Sequence, residues 1–108
     1  MRPTSVTITG VTTSTPIVLD HFQSPATCAI GVKINSGTAT YTVEHTFDDV
    51  FAAGFTPAGA TWFPHATLVA QTTNKDGNYA FPPIACRLNV TISSGGTCTM
   101  TVVTAGGI

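Results

Sequence analysis

Apolar and polar residues alternate with a period of two through much of the chain, and the alternation breaks at clusters of Gly, Pro, Ser and Asn. The apolar positions run Val6 and Ile8, Ile17 and Leu19, Cys28 to Ile34, Tyr41 to Phe47, Cys86 to Ile92, and Cys98 to Val102. Side chains on a strand point alternately to opposite faces, so this pattern predicts roughly six to eight short half-buried strands. No stretch carries the 3.6-residue repeat of an amphipathic helix. Two hairpins are predicted: Thr27–Ile34 with Thr38–Phe47 around "NSG", and Ile84–Ile92 with Thr97–Thr104 around "SSGG". The expected fold class is all-β: a single domain over residues 1–108, built as a small antiparallel β-sandwich (jelly-roll-like) or a barrel. The N-terminal residues 1–5 read as an arm.

Residues 48–83 form a long connection with weak alternation that holds Phe51, Phe55, Trp62, Phe63, Tyr79 and Phe81, six of the nine aromatics. Short strands are expected around Ala60–His65 and Leu68–Gln71, with "TPAG" and "NKDGN" as turns. A long irregular connection is often functional. Two roles stand side by side for these rings: capping an open end of the core, or anchoring a neighbouring subunit as large aromatics do at interface centres.

The segment "TATYTVEHTFDDV" places Glu44, His45, Asp48 and Asp49 close together and invites a metal or acid–base reading. Strand geometry argues against it. Tyr41, Val43, His45 and Phe47 share one face while Glu44 lies on the other, so Glu44 and His45 do not grip one ion. The expectation is a buried histidine with aspartates at the turn. His21 and His65 are isolated, without zinc-ligand spacing. "NKDGN" lacks the further oxygen ligands and the distal glutamate of a calcium loop. No nucleophile motif or phosphate-binding glycine loop is present. The chain is therefore read as a non-enzyme, with no catalytic residues, metal or cofactor.

Composition changes the picture more than any motif. Charged residues make up 8% of the chain and the net charge is -1, against about 25% charged residues in an ordinary soluble domain. Arg2, Lys33, Lys75 and Arg87 are scattered, which speaks against nucleic-acid binding. No apolar run approaches the roughly 18 residues of a membrane span, and "MRPTS" lacks the apolar stretch of a secretory signal, so neither a membrane nor an exported chain is expected. Threonine, about one residue in five, supplies the polar surface instead. A nearly uncharged exterior suggests that partners cover much of it in the working state. Cys28, Cys86 and Cys98 each fall on the apolar side of their local alternation and read as buried thiols. A Cys86–Cys98 disulfide across the second predicted hairpin is the alternative outside a reducing cytosol.

The order "YTVEHTFDDV", then "TWFPH", then "DGNYAFPPIACRLNVTISSGGTCTMTVVTAGG" resembles a family of small virion structural proteins of tailed bacteriophages. The likeness covers roughly Ala29 to Ile108, and the chain departs from the family pattern at its three cysteines and at Pro82-Pro83. The resemblance implies a structural component of the virion. Proteins of this kind commonly decorate or cement the capsid, so the expected partners are the major capsid protein and copies of the chain itself, as dimer or trimer. The expected location is the capsid surface, after assembly in the host bacterial cytoplasm. The candidate interface residues are Phe51, Phe55, Trp62 and Phe63, together with Met1, Arg2 and Pro3 of the arm. The alternative is a tail or head-fibre component with a head–tail joining role or a glycan-binding one, the latter stacking sugars on Trp62, His65 and Tyr79.

Overall fold

A computed structural model describes residues 4–18, 28–79 and 84–104. Leu19, His21, Phe81, Pro82-Pro83 and the candidate residues Met1, Arg2 and Pro3 lie outside the described residues. The elements in chain order are β1 (Thr4–Thr9), β2 (Ile17–Val18), β3 (Cys28–Thr46), a 3-10 turn (Pro57–Gly59), β4 (Phe63–Pro64), β5 (Lys75–Tyr79) and β6 (Ala85–Thr104). The protein is all-β, with no α-helix among the described residues. The strands of the described residues form one antiparallel six-stranded sheet in the order β1-β6-β3-β4, with β2 also on β6 and β5 also on β3.

The two predicted hairpins do not form. β3 and β6 pair with each other along their full length, from Cys28 opposite Thr104 to Thr46 opposite Ala85. "NSG" and "SSGG" face one another in the middle of this ribbon, where the register shifts. Gly37 and Gly95 have φ of 65° and 64°. A left-handed glycine serves a tight turn or a bulge equally well, and here it makes a bulge. The buried positions of β3 are even-numbered up to Val32 and odd-numbered from Ala39 to His45, so the bulge moves the apolar set from one pleat parity to the other.

These strands cannot run straight. Twenty extended residues span about 66 Å, yet the longest dimension of the molecule is 38 Å. The ribbon bends at its glycine bulges and its two ends meet. Tyr79 is the β5 partner of Cys28 at one end of β3, and its ring centroid lies 4.9 Å from that of His45 near the other end. Between the facing halves lies the core: Ile30, Val32, Tyr41, Val43, Leu68, Tyr79, Leu88, Val90, Met100 and Val102, with all three cysteines. The cysteines are free and buried, as their alternation suggested, and no Cys86–Cys98 disulfide is formed.

Smaller departures follow from the same geometry. Phe47, expected on the inner face with His45, is 53% exposed because β3 ends at Thr46. Ile92 is 66% exposed at the bend. "TPAG" is the expected turn, capped by the Thr56 hydroxyl accepting from Gly59 N–H. "NKDGN" is mostly strand: β5 pairs Lys75–Tyr79 with Cys28–Val32, and tertiary pairing overrides the turn propensity of Asp-Gly. Gly77 leaves space for its neighbours, since a Cβ would sit in tight contact, 3.0 Å from the side chains of both His65 and Leu68. Of the expected N-terminal arm, Thr4 and Ser5 are strand, paired with Val102 and Thr101.

Candidate functional site

The segment that invited a metal reading separates in space. Glu44 points to the outer face, where its Oε1 accepts a 2.8 Å hydrogen bond from Arg87 Nε. Asn89 Nδ2 lies 3.4 Å from the other carboxylate oxygen. The Arg87 guanidinium lies 4.2 Å above the Trp62 ring, and Trp62 Nε1 donates to the Pro57 carbonyl. A planar cation between a carboxylate and an indole face fixes the loop to the ribbon. Asp48 Oδ2 accepts from Thr61 N–H and Asp49 Oδ1 accepts from Phe51 N–H, so both aspartates hold loop backbone.

His45 lies on the inner face, as strand parity requires, and shares a 2.9 Å hydrogen bond through Nδ1 with Tyr79 Oη. Tyr79 sits between two imidazoles, with His65 at a centroid distance of 4.9 Å on a second side. His65 Nδ1 accepts the N–H groups of Thr67 and Leu68, and its Nε2 donates to the Asn78 carbonyl. His65 therefore fastens the loop after β4 onto β5. Burial, with His65 adding to it, holds His45 below the ordinary imidazole value. Burial likewise drives the Tyr79 hydroxyl far above the usual phenol range, aided by Cys86, Cys28 and Glu44.

A cleft of about 670 Å³ opens beside this cluster, bounded by His45, His65, Thr67, Asp76 and Asn78. The ring nitrogens of His65 are committed to backbone, and the neighbouring tyrosine is held as the neutral phenol. This arrangement locks the loop to the sheet. No group of three or more His, Cys, Asp or Glu side chains among the described residues is placed to hold a metal ion.

The aromatic candidates divide by position. Phe51 is 72% exposed and Phe63 45% exposed, while Phe55 and Trp62 are half-buried. Phe63 stacks on His45 at 5.9 Å and meets Phe47 at the same distance, so Phe47 and Phe63 form one exposed aromatic edge over the histidine cluster. Sequence reasoning missed Phe47 because it continued the alternation one step too far. The signal was Asp48-Asp49, which ends the strand. The platform of Trp62, His65 and Tyr79 does not assemble: His65 and Tyr79 are buried, and Arg87 covers a face of Trp62.

On the other half of the ribbon, the outer face carries paired hydroxyls. Ser5 meets Thr101 at 3.0 Å, Thr7 meets Thr99 at 2.8 Å and Thr9 meets Thr97 at 3.2 Å, and Asn35 Nδ2 donates to Thr99. This is the neutral threonine surface that the composition demanded. No family model, curated protein or solved structure matches the chain.

Proposed function

We propose that this chain is a structural protein of a tailed-phage virion: a capsid decoration or cement protein that binds the outer shell through multivalent apolar contacts. The observation that carries the reading is an exterior poor in ions that still exposes large aromatic rings, Phe47, Phe51 and Phe63, on the loop side of the sheet. Exposed aromatics with little surrounding charge suit a surface that is covered in use. The order of "YTVEHTFDDV", "TWFPH" and "DGNYAFPP" supports the same placement by resemblance.

On this reading the mechanism is mechanical. The bent ribbon is a stiff scaffold, and the phenylalanine edge contacts the major capsid protein. Apolar burial contributes about 25 cal/mol per Å², against which association costs are set. Repetition over many symmetry-related copies, and engagement of more than one shell subunit at once, raises the avidity well above that of one contact. Shell subunits then separate only by exposing what the cement covers.

Phe51→Asp tests the reading, because the ring is mostly solvent-exposed and its loss leaves the core intact. Purified wild-type protein is expected to co-sediment with phage heads. The variant is expected to melt at the wild-type temperature and to lose most of its bound fraction. Wild-type protein that ignores heads would overturn the function, and undiminished binding by the variant would overturn the contact surface.

A further inference from the structure

The sheet has two outer edges, and they differ in kind. On the β3 side, β5 carries Lys75 and Asp76, and β4 is two residues long and contains Pro64. Charge, proline and brevity are the devices by which edge strands avoid pairing with other chains. On the β6 side, β1 is "TSVTIT": six residues without charge or proline, in unbroken register with β6 from Thr4 opposite Val102 to Thr9 opposite Thr97. Among the described residues β1 pairs only with β6.

The direction of its free backbone groups follows from the ladder. Gly10 N–H donates to Gly96 O at 3.0 Å, continuing the β1–β6 register. In an antiparallel ladder, residues whose N–H and C=O face the partner alternate with residues whose groups face away. Val6 and Ile8 therefore bond β6, whereas Ser5, Thr7 and Thr9 turn their N–H and C=O away from β6, to a side where no strand of the described residues lies. The same alternation carried across the ribbon directs Ile34 N–H away from β6, and it is found donating to Asn74 Oδ1.

We propose that β1 is a self-recognition edge, at which a second copy of this chain adds its own β1 antiparallel about a two-fold axis through Thr7. Thr7 then faces Thr7 of the second copy, and Ser5 faces Thr9 on either side, each pair exchanging both of its N–H···O bonds. An isologous contact requires such a self-complementary register. Both faces agree with it. On the outside, hydroxyl meets hydroxyl, extending the rows that already link β1 to β6 at 2.8–3.2 Å. On the inside, Val6 faces Ile8, both partly buried and packed against the core. The inference assigns a surface to the self-association expected from the sequence, and it holds without any shell present.

Sedimentation equilibrium of the full chain tests it. The wild-type protein is expected to convert from monomer to dimer as concentration rises. Thr7→Pro removes an edge-facing N–H and leaves the β1–β6 ladder bonds in place, at the loss of the Thr7–Thr99 hydroxyl contact, so it should stay folded with a modestly lowered melting temperature and remain monomeric throughout. Val6→Pro removes a β6-facing N–H and should instead destabilise the fold. Thr7→Lys gives the same readout without constraining the backbone. A wild-type chain that remains monomeric, or Thr7→Pro and Thr7→Lys variants that dimerise as tightly as wild type, would overturn the proposal. So would a monomeric chain whose Thr7→Lys variant loses only head binding, since the edge would then belong to a shell strand. Failure to bind heads with dimerisation intact would count against the virion reading alone.

Discussion

His45 illustrates how one ring is given a structural task by its surroundings. Its Nδ1 holds Tyr79 Oη, its ring stacks on Phe63 and meets Phe47 edge-on, and His65 adds to the effect of burial on it. Because burial lowers its pKa in the folded state, the unfolded chain binds the proton more readily. The stabilisation from keeping the ring neutral is complete above the unfolded value of about 6.5 and is lost as pH falls through the folded value. Urea midpoints should therefore be lower near about pH 5 than near about pH 7.5. His45→Asn keeps a hydrogen-bonding partner for Tyr79 without a titrating ring and should flatten that slope; an unchanged slope would assign the effect elsewhere. That His45 belongs to the core was legible from its place between Val43 and Phe47. Its partnership with Tyr79 was not, because the two are joined only through the bend of β3.

At the level of elements, the decisive feature is the pair of glycine bulges. A Cβ on Gly37 would lie 2.3 Å from the Gly95 carbonyl oxygen, and one on Gly96 would lie 2.5 Å from the Thr38 carbonyl oxygen. The strands cross there with no room for a side chain at either Gly37 or Gly96. Gly95 also has positive φ, but the space about its Cβ position is open. Gly95→Ala should thus cost only the left-handed backbone penalty, about 1–2 kcal/mol. Gly37→Ala adds a clash with fixed backbone and should cost distinctly more, read as a larger drop in urea midpoint. Equal losses would mean that the bulge relaxes freely. "NSG" and "SSGG" were recognisable as places where the chain needs left-handed residues. Whether such a residue reverses a strand or bends it depends on which strand lies opposite, and period-two alternation does not encode partner identity.

For the whole molecule, bending one ribbon onto itself encloses a core from strands far apart in sequence and leaves every cysteine inside it. Burial pushes the Cys86 thiol up to about 12, and raises those of Cys28 and Cys98. The reactive thiolate is scarce in the folded protein, so a thiol reagent should label none of the three quickly under native conditions and all three in denaturant. Rapid native labelling of Cys86 would show that the ribbon opens at its ends. The β3–β6 pairing joins Cys28 to Thr104, so folding must close long loops before its contacts form. By itself the amino-acid sequence determined the all-β class, the inward residues of most strands, the buried thiols and a surface of neutral hydroxyls, because each follows from local period and composition. Only the tertiary structure decided that β3 pairs with β6, that Asp76-Gly77 is strand, that Phe47 is outside, and that Tyr79 meets His45. Those outcomes depend on which distant segments share hydrogen bonds, and backbone donors and acceptors are the same in every residue but proline.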